Sequence, residues 1–140
     1  MALKKVKRKA ISKDPKVMLL YGAPKVGKTT ALSQLDNCLI IDTEQGANML
    51  DGYIEQVNTR EDLIVLLQEA QEGHDYKYVA IDTIDKIAEW AEESVCREEA
   101  VDAIQDLAFG KGFGMVREKV LNTVKAMKKI FPHVIIIGHR

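Results

Sequence analysis

Cysteine is scarce, and Cys38 and Cys96 stand far apart with no C-x-x-C spacing and no histidine pair nearby. Neither a disulfide framework nor a zinc site is suggested, and buried free thiols are the better reading. Long apolar runs are also missing: none approaches the roughly 20 residues a membrane helix needs, which excludes membrane insertion. The basic N-terminus is not followed by an apolar stretch and a small-residue cleavage site, so it is not a secretory signal, and cytoplasm is the default location. No arginine cluster lies between Asp82 and the end of the sequence. What is present is 46% hydrophobic and 29% charged residues in 140, the profile of one globular domain with a real core.

The net charge of −1 is unevenly distributed. Residues 1–16 carry seven basic side chains (Lys4, Lys5, Lys7, Arg8, Lys9, Lys13 and Lys16) against Asp14, a balance of +6. Residues 17–140 carry 13 basic against 20 acidic, a balance of −7. The division is therefore a basic arm, 1–16, and a domain, 17–140. Such an arm either favours a polyanion, through counterion release, or is a solvated tail.

The domain is organised around Gly22-Ala23-Pro24-Lys25-Val26-Gly27-Lys28-Thr29, which spells G-x-x-x-x-G-K-T, with Thr30 following. Glycine permits backbone angles closed to other residues, so successive amides can curl round a phosphate without a Cβ in the way. Lys28 adds a point charge, and Thr29 can offer its hydroxyl to Mg²⁺. The free amides and positive dipole end of the following helix complete a phosphate site, while Lys25 faces solvent. The context agrees. A strand at about 17–21, almost wholly apolar as a strand buried on both faces should be, runs into the loop, and a helix at about 28–35 runs out of it.

Farther along, Cys38-Leu39-Ile40-Ile41-Asp42 reads as a buried strand ending in Thr43-Glu44-Gln45-Gly46, acidic and polar residues where open α/β sheets bind ligands. A short strand near 54–57 precedes Thr59, a plausible N-cap with an acid three residues on. The helix behind it shows Leu63, Leu66, Leu67 and Ala70 on one face, and Gly73 closes it. Tyr78-Val79-Ala80-Ile81-Asp82 is a strand that pushes Asp82 out beside the phosphate loop, where it can hold the Mg²⁺ shell through water.

Apolar periodicity predicts a mostly helical stretch from Thr83 to about Leu107, with Ile84, Ile87, Ala88, Ala91, Ala100, Ile104 and Leu107 in step and Trp90 packed. Phe109-Gly110-Lys111-Gly112-Phe113-Gly114 predicts a loop. Its aromatics either stack on single-stranded bases or tuck into the core. A helix over about 115–130 buries Val116, Val120, Val124 and Met127. Pro132 stops it, and His133–Gly138 forms another buried strand. A buried strand at the end of the sequence predicts that further chain follows Arg140.

The succession GAPKVGKTT, CLIIDTEQGANMLD, YVAIDTIDKI, FGKGFGMVREKVLNTVKAM and VIIIGHR resembles the RecA-like P-loop ATPases, most closely the phage-encoded Sak-type ATP-binding, single-strand annealing proteins. The resemblance runs from about Val17 onward. It implies an α/β, three-layer P-loop NTPase fold: a mainly parallel central sheet flanked by helices, here truncated at the C-terminus. It also implies a catalytic carboxylate at the end of the second strand, which Glu44 matches, and a γ-phosphate sensor at the end of the last, which His139 matches. Thr83, following Asp82, stands where hexameric AAA-plus motors usually carry glutamate. Read from the residues alone, Glu44 could instead cap the turn at Gly46, and His139 could be solvated.

The expected activity is Mg²⁺-dependent hydrolysis of ATP by a positioned water. Lys28 and the loop amides would hold the β and γ phosphates, Thr29 and Asp82 the Mg²⁺, and Glu44 the water. The expected partners are single-stranded DNA and further copies of the chain. A small-molecule kinase and a nucleotide-gated assembly module compete with this reading. The first lacks an arginine-rich lid, and the complete Lys28, Thr29, Glu44 and Asp82 set speaks against the second.

Overall fold

The computed structural model describes residues 16–22, 35–44 and 52–139. Among these residues five strands form one sheet, in the order β1-β5-β4-β2-β3. They are β1 (Val17–Gly22), β2 (Cys38–Asp42), β3 (Tyr53–Gln56), β4 (Tyr78–Asp82) and β5 (His133–His139). Every pairing is parallel, so all five carboxyl ends meet at one edge. Three helices are described: α1 (Arg60–Gln71), α2 (Ile84–Glu98) and α3 (Lys111–Ile130). The α/β class and the parallel sheet are as the sequence predicts. The helix expected at about 28–35, and residues 1–15 of the basic arm, lie outside the described residues.

The apolar runs of β2, β4 and β5 bury both of their faces, as strands inside a parallel sheet must. Leu39, Ile41, Val79, Ile81 and Val134 join Leu63, Ile87, Trp90, Met127 and Phe131 from the helical layer in one core. Cys38, Ile40, Ala80, Ile135 and Ile137 form the core of the opposite face. Trp90 packs in the first of these cores as expected, and Cys38, in the second, is a buried thiol whose burial pushes its pKa up to about 11. It is a core side chain and not a nucleophile at neutral pH. Cys96, expected to be buried, is half-buried.

Strand β1 differs from expectation. Among the described residues it pairs with β5 alone, and Leu19 and Tyr21 are 62% and 64% exposed, where cover on both faces is predicted. An apolar run reports that a strand is apolar, not whether its place in the sheet is central or at the edge.

Thr59 caps α1 as predicted: its Oγ1 accepts from the Asp62 amide at 3.1 Å, and Asp62 Oδ2 accepts in turn from the Asn58 amide at 3.3 Å. The long helix expected over 83–107 ends instead at Glu98. Ala100 takes a left-handed conformation (φ 54°), and the Val101 amide donates back to the Cys96 carbonyl at 3.0 Å. This is the closing geometry usually left to glycine. Ile104, whose spacing mimics a continued helix, reaches the core from a separate 3-10 turn, Ile104–Asp106.

The predicted glycine loop is likewise corrected. Ala108–Gly110 is a 3-10 turn, and α3 begins at Lys111, so Gly112, Phe113 and Gly114 lie in its first turn. A Cβ at position 112 would stand 2.6 Å from Ile104 Cγ2 and 2.8 Å from the Ile104 carbonyl oxygen. Gly112 is there because the 3-10 turn crosses the helix at that point. Gly112→Ala should therefore destabilise by about 1–3 kcal/mol despite alanine's better helix propensity. Gly114 has nothing within 4 Å of a Cβ, so Gly114→Ala should be neutral or stabilising by up to about 1 kcal/mol. Urea denaturation of the two variants checks the contrast.

Candidate functional site

The carboxyl edge of the sheet collects Gly22, Glu44, Asp82 and His139, the described residues to which the sequence assigns chemistry. Strand β1 ends at Gly22, the first residue of the phosphate-loop motif. The rest of that motif, Ala23, Pro24, Lys25, Val26, Gly27, Lys28, Thr29 and Thr30, lies outside the described residues. Gly22 is in register with His139, the last residue of β5, so the backbone sets the sensor candidate against the start of the loop. Beside Gly138, a Cβ would meet the Tyr21 ring at 2.6 Å, so this glycine keeps β1 and β5 in contact at the same edge.

One strand farther in, β4 ends at Asp82, and its neighbour β2 ends at Asp42 in the same register row. Residues opposed in parallel strands share a face, so both aspartates project from the side of the sheet that carries Ile40, Ala80 and Ile137. Neighbouring strands lie about 4.8 Å apart, which brings two carboxylates side by side. Both are buried, Asp42 at 1% and Asp82 at 6% exposure. Glu44 follows two residues beyond β2 and is exposed.

Local hydrogen bonds hold this corner. Asp42 Oδ1 accepts from the Glu44 amide at 3.0 Å, a turn in which an aspartate side chain bonds the backbone two residues on. The Asp42 carbonyl accepts from the Val57 amide at 2.9 Å, extending the joint to the residue after β3. Between β2 and β4 the contact is made by Thr43. Its amide donates to the Asp82 carbonyl at 2.8 Å, and its hydroxyl donates to the same oxygen at 3.1 Å. That hydroxyl also accepts from the Thr83 amide at 2.9 Å. Thr83, at the N-cap of α2, is fully buried, and its own hydroxyl finds no hydrogen-bond partner among the described residues.

Sequence reasoning reached Glu44, Asp82 and His139 but gave no role to Thr43. A signal was available in the two Ile-Asp-Thr triplets, 41–43 and 81–83, which the sheet sets side by side.

Oxygen donors on strand ends suit a hard divalent cation. Mg²⁺ carried on nucleotide phosphates takes one or two protein oxygens and keeps several waters, so it needs no all-protein cage. Among the described residues there is no group of three or more His, Cys, Asp or Glu able to hold a metal. Asp82 is an oxygen donor of this kind at a strand end.

Parallel strands that bring a G-x-x-x-x-G-K-T motif and two acidic strand ends to one edge define an α/β P-loop nucleotide-binding domain. The chain belongs to the AAA domain family, whose sequence model matches residues 14–140. It is similar to the SPbeta prophage-derived uncharacterized protein YorG of Bacillus subtilis (strain 168). The two are 26% identical over 140 residues, a match covering 90% of this chain and 41% of that protein. The chain thus spans less than half the length of that curated relative. These findings establish an AAA-type protein of the P-loop ATPase class with a prophage relative. No helix among the described residues is long and apolar enough to cross a membrane.

Proposed function

We propose that this chain is an ATP-binding and ATP-hydrolysing domain acting on single-stranded DNA, in recombination or strand annealing of the phage Sak type. The observation that carries the hydrolytic reading is the register of Asp42 with Asp82. It brings the ends of β2 and β4 together, and with them Glu44 and Asp82, at the edge where β1 ends at the start of the phosphate-loop motif.

In this reading Lys28 and the backbone amides of residues 22–30 bind the β and γ phosphates. Thr29 and Asp82 would hold Mg²⁺, which when bound neutralises charge on the phosphate oxygens. Glu44 orients the attacking water and accepts its proton as the water oxygen bonds to the γ phosphorus. The bond from that phosphorus to the β–γ bridging oxygen breaks, leaving ADP and inorganic phosphate. The part given to Glu44 rests on its placement. His139, paired through its backbone with Gly22, is the γ-phosphate sensor.

DNA binding draws support from the start of α3. Phe109 is fully exposed and Phe113 is 56% exposed, so neither aromatic tucks into the core. Two solvent-facing rings four positions apart, with the basic arm, suit stacking on unpaired bases together with attraction to their phosphates. Action in the cytoplasm and assembly with further copies of the chain complete the proposal.

Steady-state ATPase activity of the whole protein, with and without single-stranded DNA at low and high salt, tests the proposal. The expected result is turnover stimulated by DNA, with stimulation fading as salt rises. Turnover indifferent to DNA would overturn the recombination reading and favour a nucleotide-gated module or a kinase. Absence of turnover would overturn hydrolysis itself.

A further inference from the structure

We infer that Thr43 is a positioning residue for hydrolysis: its side chain clasps the ends of β2 and β4 together and so fixes Glu44 relative to Asp82. This rests on the reading of the edge as an ATP-hydrolysing site. The ladder between β2 and β4 has its last paired row at Asp42 and Asp82, and beyond that row the two chains are free to diverge. Thr43 closes the gap with a hydroxyl used in both directions, donating to the Asp82 carbonyl and accepting from the Thr83 amide. Its own amide adds a second donor to the Asp82 carbonyl.

The next residue is Glu44. Its amide is held from the other side by Asp42 Oδ1, so its backbone is fixed by two groups that both belong to the β2–β4 joint. Glu44 is exposed, and its backbone position is set by this joint. Thr43 is 6% exposed, so water does not readily replace its hydroxyl.

Asymmetry between the twin triplets supports the assignment. Thr83 occupies the equivalent place on β4, yet among the described residues its side chain makes no hydrogen bond, and it enters the clasp through its backbone amide. Of the two threonines, the one at position 43 is the one whose hydroxyl is engaged. An interaction of this kind need not touch nucleotide to matter, because displacing a reacting group by about 1 Å can cost about 100-fold in rate.

The test compares Thr43→Val, which keeps the shape and removes the oxygen, with Thr43→Ser, which keeps the oxygen. Both are assayed in the whole protein for kcat and KM with ATP, for Kd with a fluorescent ATP analogue, and for thermal unfolding. Thr43→Val should lose about 10- to 100-fold in kcat while Kd stays within about threefold, and Thr43→Ser should return to within about threefold of the parent kcat. On a Glu44→Gln background, Thr43→Val should cost no more than about a further twofold, since a residue acting through Glu44 has nothing left to aim.

Parent-like kcat in folded Thr43→Val would overturn the inference while leaving the ATPase reading intact. So would a Thr43→Ser protein as slow as the valine variant. An equal rise in Kd and fall in kcat/KM would make Thr43 a binding element and overturn it as well. If Thr43→Val does not fold, Thr43→Ala replaces it, and equal kcat in the alanine and serine variants would be decisive against the clasp. A parent protein that binds ATP without turnover would instead overturn the ATPase reading.

Discussion

Glu44→Gln should leave ATP bound and reduce turnover by about 1,000-fold, equivalent to about 4 kcal/mol of barrier. Glutamine has the shape of glutamate and keeps the backbone bond from the Glu44 amide to Asp42 Oδ1, so the corner of the sheet is preserved. It lacks a carboxylate that can accept a proton from the attacking water. Position 44 is exposed, and the substitution should change folding stability by no more than about 0.5 kcal/mol. Single-turnover hydrolysis alongside nucleotide Kd separates the two effects. If Glu44→Gln loses ATP binding in proportion to activity, the carboxylate belongs to ground-state binding and the assignment is wrong.

The largest effect on folding is expected far from that edge, at Phe131. Its ring is 2% exposed at the junction of α3 and β5, and its centroid lies 4.4 Å from that of His74. His74 accepts from the Tyr76 amide at Nδ1 (3.0 Å), and so donates through Nε2 to the Ile130 carbonyl at 2.7 Å. One aromatic side chain thus braces the loop after α1 against the end of α3. Phe131→Ala should cost about 3–5 kcal/mol, by lost burial and by the cavity left between elements that cannot collapse together. Domain stabilities are about 5–15 kcal/mol, so denaturant melts should show a large displacement of the midpoint. Phe131 lies at the amino end of β5, and the candidate site lies at the carboxyl ends of the strands. Turnover per folded molecule should therefore be retained, and a parallel loss of kcat at temperatures where the variant is fully folded would contradict this separation.

Much of the architecture could be read from residue patterns because parallel sheets impose a simple rule. Cys38–Ile41 and Tyr78–Ile81 are continuous apolar runs, as strands covered on both faces must be, and the aspartate ending each run marks the sheet edge. The strand order could not be read in this way, since apolar character is the same at the centre and at the margin, and β1 was accordingly given too much cover. Helix ends failed where local geometry departed from residue preference. Ala100 adopts a left-handed turn usually given to glycine, and Gly112 sits inside a helix because Ile104 passes too close for a Cβ. At the site, charged residues announced themselves while Thr43 did not. Its importance comes from pairing with a segment 40 positions away, which no local spacing encodes.

The place of β1 bears on how the domain comes to exist at all. Val17 pairs with Val134, and among the described residues β1 has no other strand partner, so almost the entire chain separates the two halves of that ladder. Contacts between such remote segments carry a high loop-closure cost and form late. During synthesis, which proceeds from the N-terminus, the strand leading into the phosphate loop emerges before β5, the strand it pairs with. If the phosphate loop binds ATP as proposed, ATP present during refolding should favour chains in which β1 has paired with β5 over partly folded forms.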